Sequence, residues 1–324
     1  MNIPRITSKS TSFKPRYPFA VELADKQLDM MWLAKDYNMS DDAHDFRVKA
    51  TKAQRMMIIQ TQKIFNHYEV KLGTDFWNGR FKQIFKGYEF ERLGSVFGMV
   101  ETAVHSPFYI QMTDVVGLND EDFHNTVFHD PELKSRIEFI VNALTGPCDL
   151  RSLAAMTFLE GTALFASLAA LMSFRKPGEA NIMKNMVSGI VHSCSDELLH
   201  CFGSAKCFQE LLKESSLSPT ALKNLQKDVN QLAKDIVEHE AVLIRKLFQW
   251  GELGMVTELE LAQFVMHRAD ECLTLLGYDK YFKPDNNPIG DWIYLLVESY
   301  NFGDFFQTTQ KDYTKYVNKE DFTW

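Results

Sequence analysis

The sequence predicts an all-helical protein built on a bundle of long antiparallel helices, and three observations carry that prediction. Only ten prolines and sixteen glycines interrupt 324 residues. Between these breaks, apolar residues recur at three- and four-residue spacing, the pattern of an amphipathic helix face. The strict alternation of a half-buried strand is scarce. A chain of this length fits one domain, with tails, when long helices absorb most of it.

Taken in order, an N-terminal extension over 1–21 precedes a helix at 22–35, and the next apolar periodicity spans 51–73. A third helix, 90–115, stops before Gly117, and a fourth, 132–145, stops at Gly146-Pro147, where a flexible residue and a proline end the helical hydrogen-bond pattern. The most apolar segment, 149–174, runs up to Pro177-Gly178, and 179–213 comes next. Ser218-Pro219 opens a helix over 219–251, closed by Gly251, and 256–278 is the last of the series. After Pro284 the composition turns to Asn, Pro, Gly and aromatics. The domain is therefore expected to span 22–290, with a flexible tail over 291–324 that ends in the polar, aromatic-tipped stretch DYTKYVNKEDFTW.

Composition excludes several classes. A net charge of -8 argues against a nucleic-acid-binding surface, which needs clustered Lys and Arg. The run from Phe158 to Phe174 still contains Glu160, Thr162 and Ser167, so no membrane partner is expected. The first residues lack the apolar core of a secretory signal, which predicts a cytoplasmic protein. Five cysteines without a CxxC pair are expected to be free or buried thiols. No Gly-rich nucleotide-binding loop is present.

The informative residues are acids set into apolar helix faces. In TFLEGTALFASLAALMSF, Glu160 lies where an unpaired charge would be costly. In HSCSDELLHCFG, Glu197 and His200 are three apart and project from one face within reach of a single ion. A lone Glu and a Glu-x-x-His pair on facing helices form half of a dinuclear carboxylate site in a four-helix bundle. The upstream half comes from Glu69 in NHYEVKLGTDFW and from Glu101 and His105 in VETAVHSPFY. Any one of these has a bland reading as a surface ion pair or a core histidine. It is their recurrence on four helices, as Glu, Glu/His, Glu, Glu-x-x-His, that favours two metal ions. Carboxylates and imidazoles without cysteine ligands suit iron or manganese rather than zinc or an iron–sulfur cluster.

With these motifs in place, the chain resembles the small, radical-generating subunit of class I ribonucleotide reductases, ferritin-like proteins, over most of its length. DKQLDMMWLAKDYNMSDDAHDF is similar to the family's N-terminal segment and puts Trp32 on its radical-transfer tryptophan. VHSPFY places Tyr109 on the radical tyrosine four residues after a ligand histidine, and SDELLH places Asp196 in the transfer chain. YNFGDFFQTTQKDYTKY puts Tyr313 on the tail's redox tyrosine, with Tyr316 as its competitor, and EDFTW resembles the peptide that docks on the large subunit.

The resemblance implies a homodimer working with a large subunit. It also implies a dinuclear metal cofactor, iron first and manganese or a mixed pair otherwise, and a tyrosyl radical used to reduce ribonucleoside di- or triphosphates. Two departures stand out. The family's first pair is Glu-x-x-His, whereas Glu101 is four residues before His105 and needs a 100° shift or a local π-bulge to reach the same metal. Gln307 replaces a customary tail glutamate. A stand-alone di-metal oxygenase or desaturase is the competing reading, and an iron-storage or structural ferritin-like protein a third; neither needs the tail, and storage does not need Tyr109.

Overall fold

The computed structural model describes residues 3–10, 12–118 and 120–299, and among these every regular element is a helix. In chain order they are α1 (Pro18–Asp29), α2 (Ser40–His44), α3 (Lys52–Lys71), α4 (Phe81–Ile84), α5 (Tyr88–Val100), α6 (Ser106–Val116) and α7 (Glu121–His129). Beyond these lie α8 (Pro131–Thr145), α9 (Asp149–Phe158), α10 (Phe165–Met172), α11 (Lys184–Glu214), α12 (Pro219–Leu247) and α13 (Glu258–Leu275).

Local chemistry starts these helices. Thr51 Oγ1 accepts from Gln54 N at 3.2 Å while Gln54 Oε1 accepts from Thr51 N at 2.9 Å, a reciprocal cap that opens α3. Thr257 and Glu260 do the same for α13. Ser218 and Asp130 cap α12 and α8, each preceding a proline at the first helical position. Gly117, at φ +78°, ends α6 in the left-handed conformation that glycine adopts without strain.

α3, the α5–α6 pair, the α9–α10 pair and α11 form the central bundle, with α11 packed along α9 and α3 along α6. α1 lies across α5 and α11, and α12 and α13 close the other side against α9 and α10. The stretch Asp149–Arg175 is long and apolar enough to cross a membrane by length and composition, yet its apolar window is entirely buried by the surrounding helices.

Three joints in the bundle are π-helical: Leu72–Arg80 after α3, Glu101–His105 between α5 and α6, and Leu159–Ala163 between α9 and α10. Each adds a residue to a turn and rotates the next stretch of helix by roughly 100°, so side chains on either side re-aim toward a shared face.

Several elements differ from expectation. The helix expected over 22–35 stops at Asp29, and Leu33 is extended (φ −137°, ψ 149°), because Trp32 has to leave the helix to reach the bundle interior. The helix expected from 179 starts at Lys184. Asn181 and Met183 have positive φ, and the carboxylates of Asp45 and Asp42 accept the N–H groups of Met183 (2.9 Å) and Met186 (2.6 Å), a cap supplied from a distant segment. α7 is not evident from the periodicity; Asp120 caps it through Phe123 N at 2.6 Å. The tail boundary at 291 also moves: residues 290–299 are helical, and Trp292, Ile293 and Val297 are buried in the core. All five cysteines are free thiols, four of them buried.

Candidate metal centre

The six expected ligands converge inside the bundle, and all are fully buried. Glu69 comes from the last turn of α3, Glu101 and His105 from the π joint between α5 and α6, Glu160 from the π joint between α9 and α10, and Glu197 and His200 from successive turns of α11. The irregular spacing of Glu101 and His105 is thus resolved by the backbone. The π turn supplies the missing rotation, and His105 Nδ1 lies 3.2 Å from Glu101 Oε2.

Their atoms fall into two overlapping groups. Glu69, Glu101, His105 and Glu197 form one and Glu101, Glu160, Glu197 and His200 the other, with the ligand atoms of each within 4.8 Å of one another. Glu101 and Glu197 belong to both. His105 Nδ1 is 3.2 Å from Glu69 Oε2 and 3.3 Å from Glu197 Oε1; His200 Nδ1 is 2.6 Å from Glu101 Oε1 and 3.7 Å from Glu160 Oε1.

Glu69 Oε1, both oxygens of Glu101 and of Glu197, Glu160 Oε2 and His200 Nδ1 are buried with no hydrogen-bond partner among the described residues. Orphaned acceptors at this density are costly in a protein interior, and a pair of divalent cations is the group that four carboxylates and two imidazoles fit. Balanced by protons alone, the site is strongly perturbed. Burial drives Glu69 well above the usual carboxylate range; burial, then repulsion from Glu160 and Glu101, does the same to Glu197. Burial also opposes ionisation of Glu101, but the His200 and His105 rings overcome it and hold that carboxyl low. Glu101 in turn outweighs the effect of burial on His200, pushed up to about 9, and on His105, well above its usual value.

The far side of each imidazole is anchored. Asp196 Oδ2 accepts from His105 Nε2 at 3.0 Å and from Trp32 Nε1 at 2.8 Å, while Gln27 Oε1 lies 3.0 Å from His200 Nε2. With their outer nitrogens engaged, both rings turn Nδ1 inward, the arrangement that orients histidine ligands. Trp32 stacks on His105 with ring centroids 5.7 Å apart and planes 30° apart. Tyr109 is fully buried, stacked on Phe65 at 4.5 Å, with its hydroxyl 2.9 Å from Ser193 Oγ; burial pushes its phenol well above the usual value. Phe108 touches both Trp32 and Tyr109 at 5.3 Å and fits only because residue 189 is glycine: a Cβ there would lie 2.1 Å from its ring.

Sequence reasoning missed the residues that hold this site in place. Trp77, aimed inward by the π segment after α3, lies 3.3 Å from Glu160 Oε1 through Nε1. Arg136 Nη2 donates to Ala163 O and Arg268 Nε to Gly161 O, each at 2.7 Å, so two buried arginines satisfy carbonyls of the π joint that carries Glu160. Arg136 is itself paired with the buried Glu240. The signal was faint, since in LKSRIEFIV Arg136 stands among Lys134, Ser135 and Glu138, and only Leu133, Phe139 and Ile140, about one turn away, mark its face as apolar. Tyr313, Tyr316, Gln307 and the EDFTW end lie outside the described residues.

Comparison with known proteins places this arrangement. The family profile described as ribonucleotide reductase, small chain, matches residues 9–288. The probable ribonucleoside-diphosphate reductase small subunit 048L of Invertebrate iridescent virus 3 is 25% identical over 340 residues, covering 99% of this chain and 88% of that protein. The small chain of Nicotiana tabacum is 23% identical over 308 residues, covering 94% and 88%. Among solved structures, the dimanganese(II)-NrdF of Streptococcus sanguinis superposes with a TM-score of 0.75 at 18% identity over 87% of this chain and 98% of that one. The ribonucleotide reductase R2 subunit of Clostridium botulinum gives 0.76 at 16% over 88% and 90%, so the fold is shared. On the extent of the profile match, the chain belongs to the ribonucleotide reductase small chain family.

Proposed function

We propose that this chain is the radical-generating small subunit of a ribonucleoside-diphosphate reductase, with Glu69, Glu101, His105, Glu160, Glu197 and His200 holding two metal ions and Tyr109 carrying the radical. The observation that carries the reading is the pair of ligand groups sharing Glu101 and Glu197 within a bundle that also buries Tyr109 one turn beyond His105. When bound, such a metal pair supplies one-electron oxidation of a neighbouring phenol. The protein does the rest. Phe65, Phe108 and the apolar bundle exclude water, and Ser193 orients the Tyr109 hydroxyl. Because burial resists the phenolate, Tyr109 gives up its proton together with its electron. Asp196 joins the indole N–H of Trp32 to His105, a continuous polar path from the ligands to Trp32.

Carboxylate and imidazole donors suit iron or manganese; iron is taken first, on the family resemblance, with manganese or a mixed pair as the alternatives. Reduction itself belongs to the large subunit with which small chains of this family work. Docking through EDFTW, radical exit through Tyr313, and a homodimer complete the proposal, and the free thiols fit a reducing, cytoplasmic compartment. The fit of the family profile over 9–288 favours this reading over a stand-alone oxygenase.

The test is oxidative reconstitution with iron(II) and oxygen, then electron paramagnetic resonance and an assay with the large subunit. A Tyr109 signal, together with turnover that requires the last residues and Tyr313, is expected. Turnover that survives both Tyr109→Phe and deletion of EDFTW would overturn the assignment.

A further inference from the structure

Tyr37 belongs to none of the ligand or transfer positions above, yet its ring packs against that of Trp32. The Trp32 ring has His105 stacked at 5.7 Å, and it also meets Tyr37 at 5.6 Å (planes 71° apart) and His192 at 5.9 Å (30°). The Tyr37 hydroxyl is hydrogen-bonded to His192 Nδ1. Gln111 Nε2 holds the Tyr37 carbonyl at 2.9 Å, which fixes the short loop after the turn Ala34–Asp36. Exposure rises along this line. His105 is fully buried, Trp32 is 6% exposed, Tyr37 is 9% exposed and His192 is only half-buried.

Packing alone would be met by a phenylalanine. What the hydroxyl and imidazole add is a proton acceptor at hydrogen-bond distance from a phenol, beside an indole. Oxidation makes a phenol strongly acidic, so a base in contact with it lowers the barrier to electron loss. The Tyr109 hydroxyl, by contrast, has the hydroxyl of Ser193 as its hydrogen-bond partner among the described residues.

We propose that Tyr37 and His192 form a second redox-active site, a proton-coupled relay that carries the oxidising equivalent outward from Trp32. This rests on the proposed function together with the transfer role that the family resemblance implies for Trp32, so that the Tyr109 radical draws its electron by way of Trp32. In the step, the indole cation radical of Trp32 takes one electron from Tyr37 while the phenolic proton passes to His192 Nδ1. The products are a neutral indole, a neutral phenoxyl and an imidazolium, with one positive charge on each side. The reverse step returns the electron to Tyr37 after turnover.

Tyr37→3-aminotyrosine in the full chain tests this, because an aminophenol is easier to oxidise and traps the equivalent with its own spectrum. Reconstituted protein is mixed with the large subunit and a nucleoside diphosphate, then freeze-quenched for electron paramagnetic resonance. An aminotyrosyl signal should grow as the Tyr109 signal falls. Its growth should slow in His192→Gln, which keeps a polar side chain but no base. Tyr37→Phe should retain the Tyr109 signal and slow turnover by about tenfold or more. A Tyr109 radical and normal turnover without any aminotyrosyl signal would overturn the relay alone. Failure of the unsubstituted chain to form a Tyr109 radical would overturn the underlying reading and the relay with it.

Discussion

Gln27 Nε2 donates to Asp196 Oδ1 across 2.7 Å, so a single amide on α1 joins the Asp196–Trp32–His105 cluster to the outer nitrogen of His200. His105, through Asp196, and His200 directly are thereby locked by one side chain from outside the central bundle. Gln27→Leu keeps the volume and leaves His200 Nε2 and Asp196 Oδ1 without this partner. Metal titration should show the ion nearer His200 bound about tenfold more weakly, a typical loss when a ligand's outer partner is removed. Unchanged affinity for both ions would mean the amide only fills space.

Glu197 faces Glu160 and Glu101 in the dry interior, which with burial raises its pKa well above the ordinary value. Glu197→Gln should therefore stabilise the metal-free chain, by something of order 1 kcal/mol. The same change should remove a shared ligand and reduce bound metal to one ion or fewer. Calorimetric melting with and without metal reads both effects; a metal-free variant less stable than the unsubstituted chain would contradict the repulsion.

Tyr109→Phe should bind two metals as before and give no tyrosyl signal. Ser193→Ala tests the 2.9 Å contact separately. Its radical should form, with high-field g-values shifted by loss of the hydrogen bond, at a stability cost of about 1 kcal/mol. Identical g-values in the two proteins would show that the hydroxyls do not meet in the radical state.

Arg136 is 2% exposed and Glu240 is fully buried, and the guanidinium also lies 5.4 Å from the Tyr68 ring centroid. Arg136→Met strands Glu240 and the Ala163 carbonyl, with an expected loss of about 3–5 kcal/mol in chemical denaturation. Arg136→Met combined with Glu240→Leu should recover most of it, because no unpaired charge remains. If the double variant is as unstable as the single one, the arginine's bond to the π joint, rather than its charge, dominates.

Asp130 caps α8 through Glu132 N (3.0 Å) and Leu133 N (3.2 Å) and accepts from Lys246 Nζ at 2.7 Å. Burial raises its pKa, but the Lys246 contact and the cap N–H groups prevail and hold the carboxyl below the usual value. A folded-state pKa below the unfolded one means the stabilisation is complete above the unfolded value and fades as pH falls through the folded one. Asp130→Ala should cost about 1 kcal/mol at neutral pH. Urea unfolding at a series of pH values should show that gap closing under acid; a gap that is constant with pH would assign the loss to something other than the ionised carboxylate.

Much of the site was legible because burying an acid is so unfavourable that Glu160 or Glu197 in an apolar helix face signals a charge that the fold has to balance. The helices were legible for a related reason, since apolar periodicity and caps such as Thr51–Gln54 act within a few residues. Where the chain departed from its local pattern, as at Trp32, at Met183 and over 290–299, the deciding partner was remote: Asp196 for Trp32, Asp45 for the backbone at Met183, and the core itself for Trp292.

The sequence by itself determined the class of fold and which buried acids and histidines the bundle brings together, because these depend on residue type and spacing along a helix, whereas Tyr109 was singled out by the family resemblance. Tertiary structure decided how they meet. A π turn exchanges a local hydrogen-bond register for longer-range contacts, such as those of Arg136 and Arg268 with the carbonyls of Ala163 and Gly161, and nothing in a five-residue window reports that exchange. The same holds for Gln27, an ordinary helix residue until α1 packs against α11 and places its amide between Asp196 and His200.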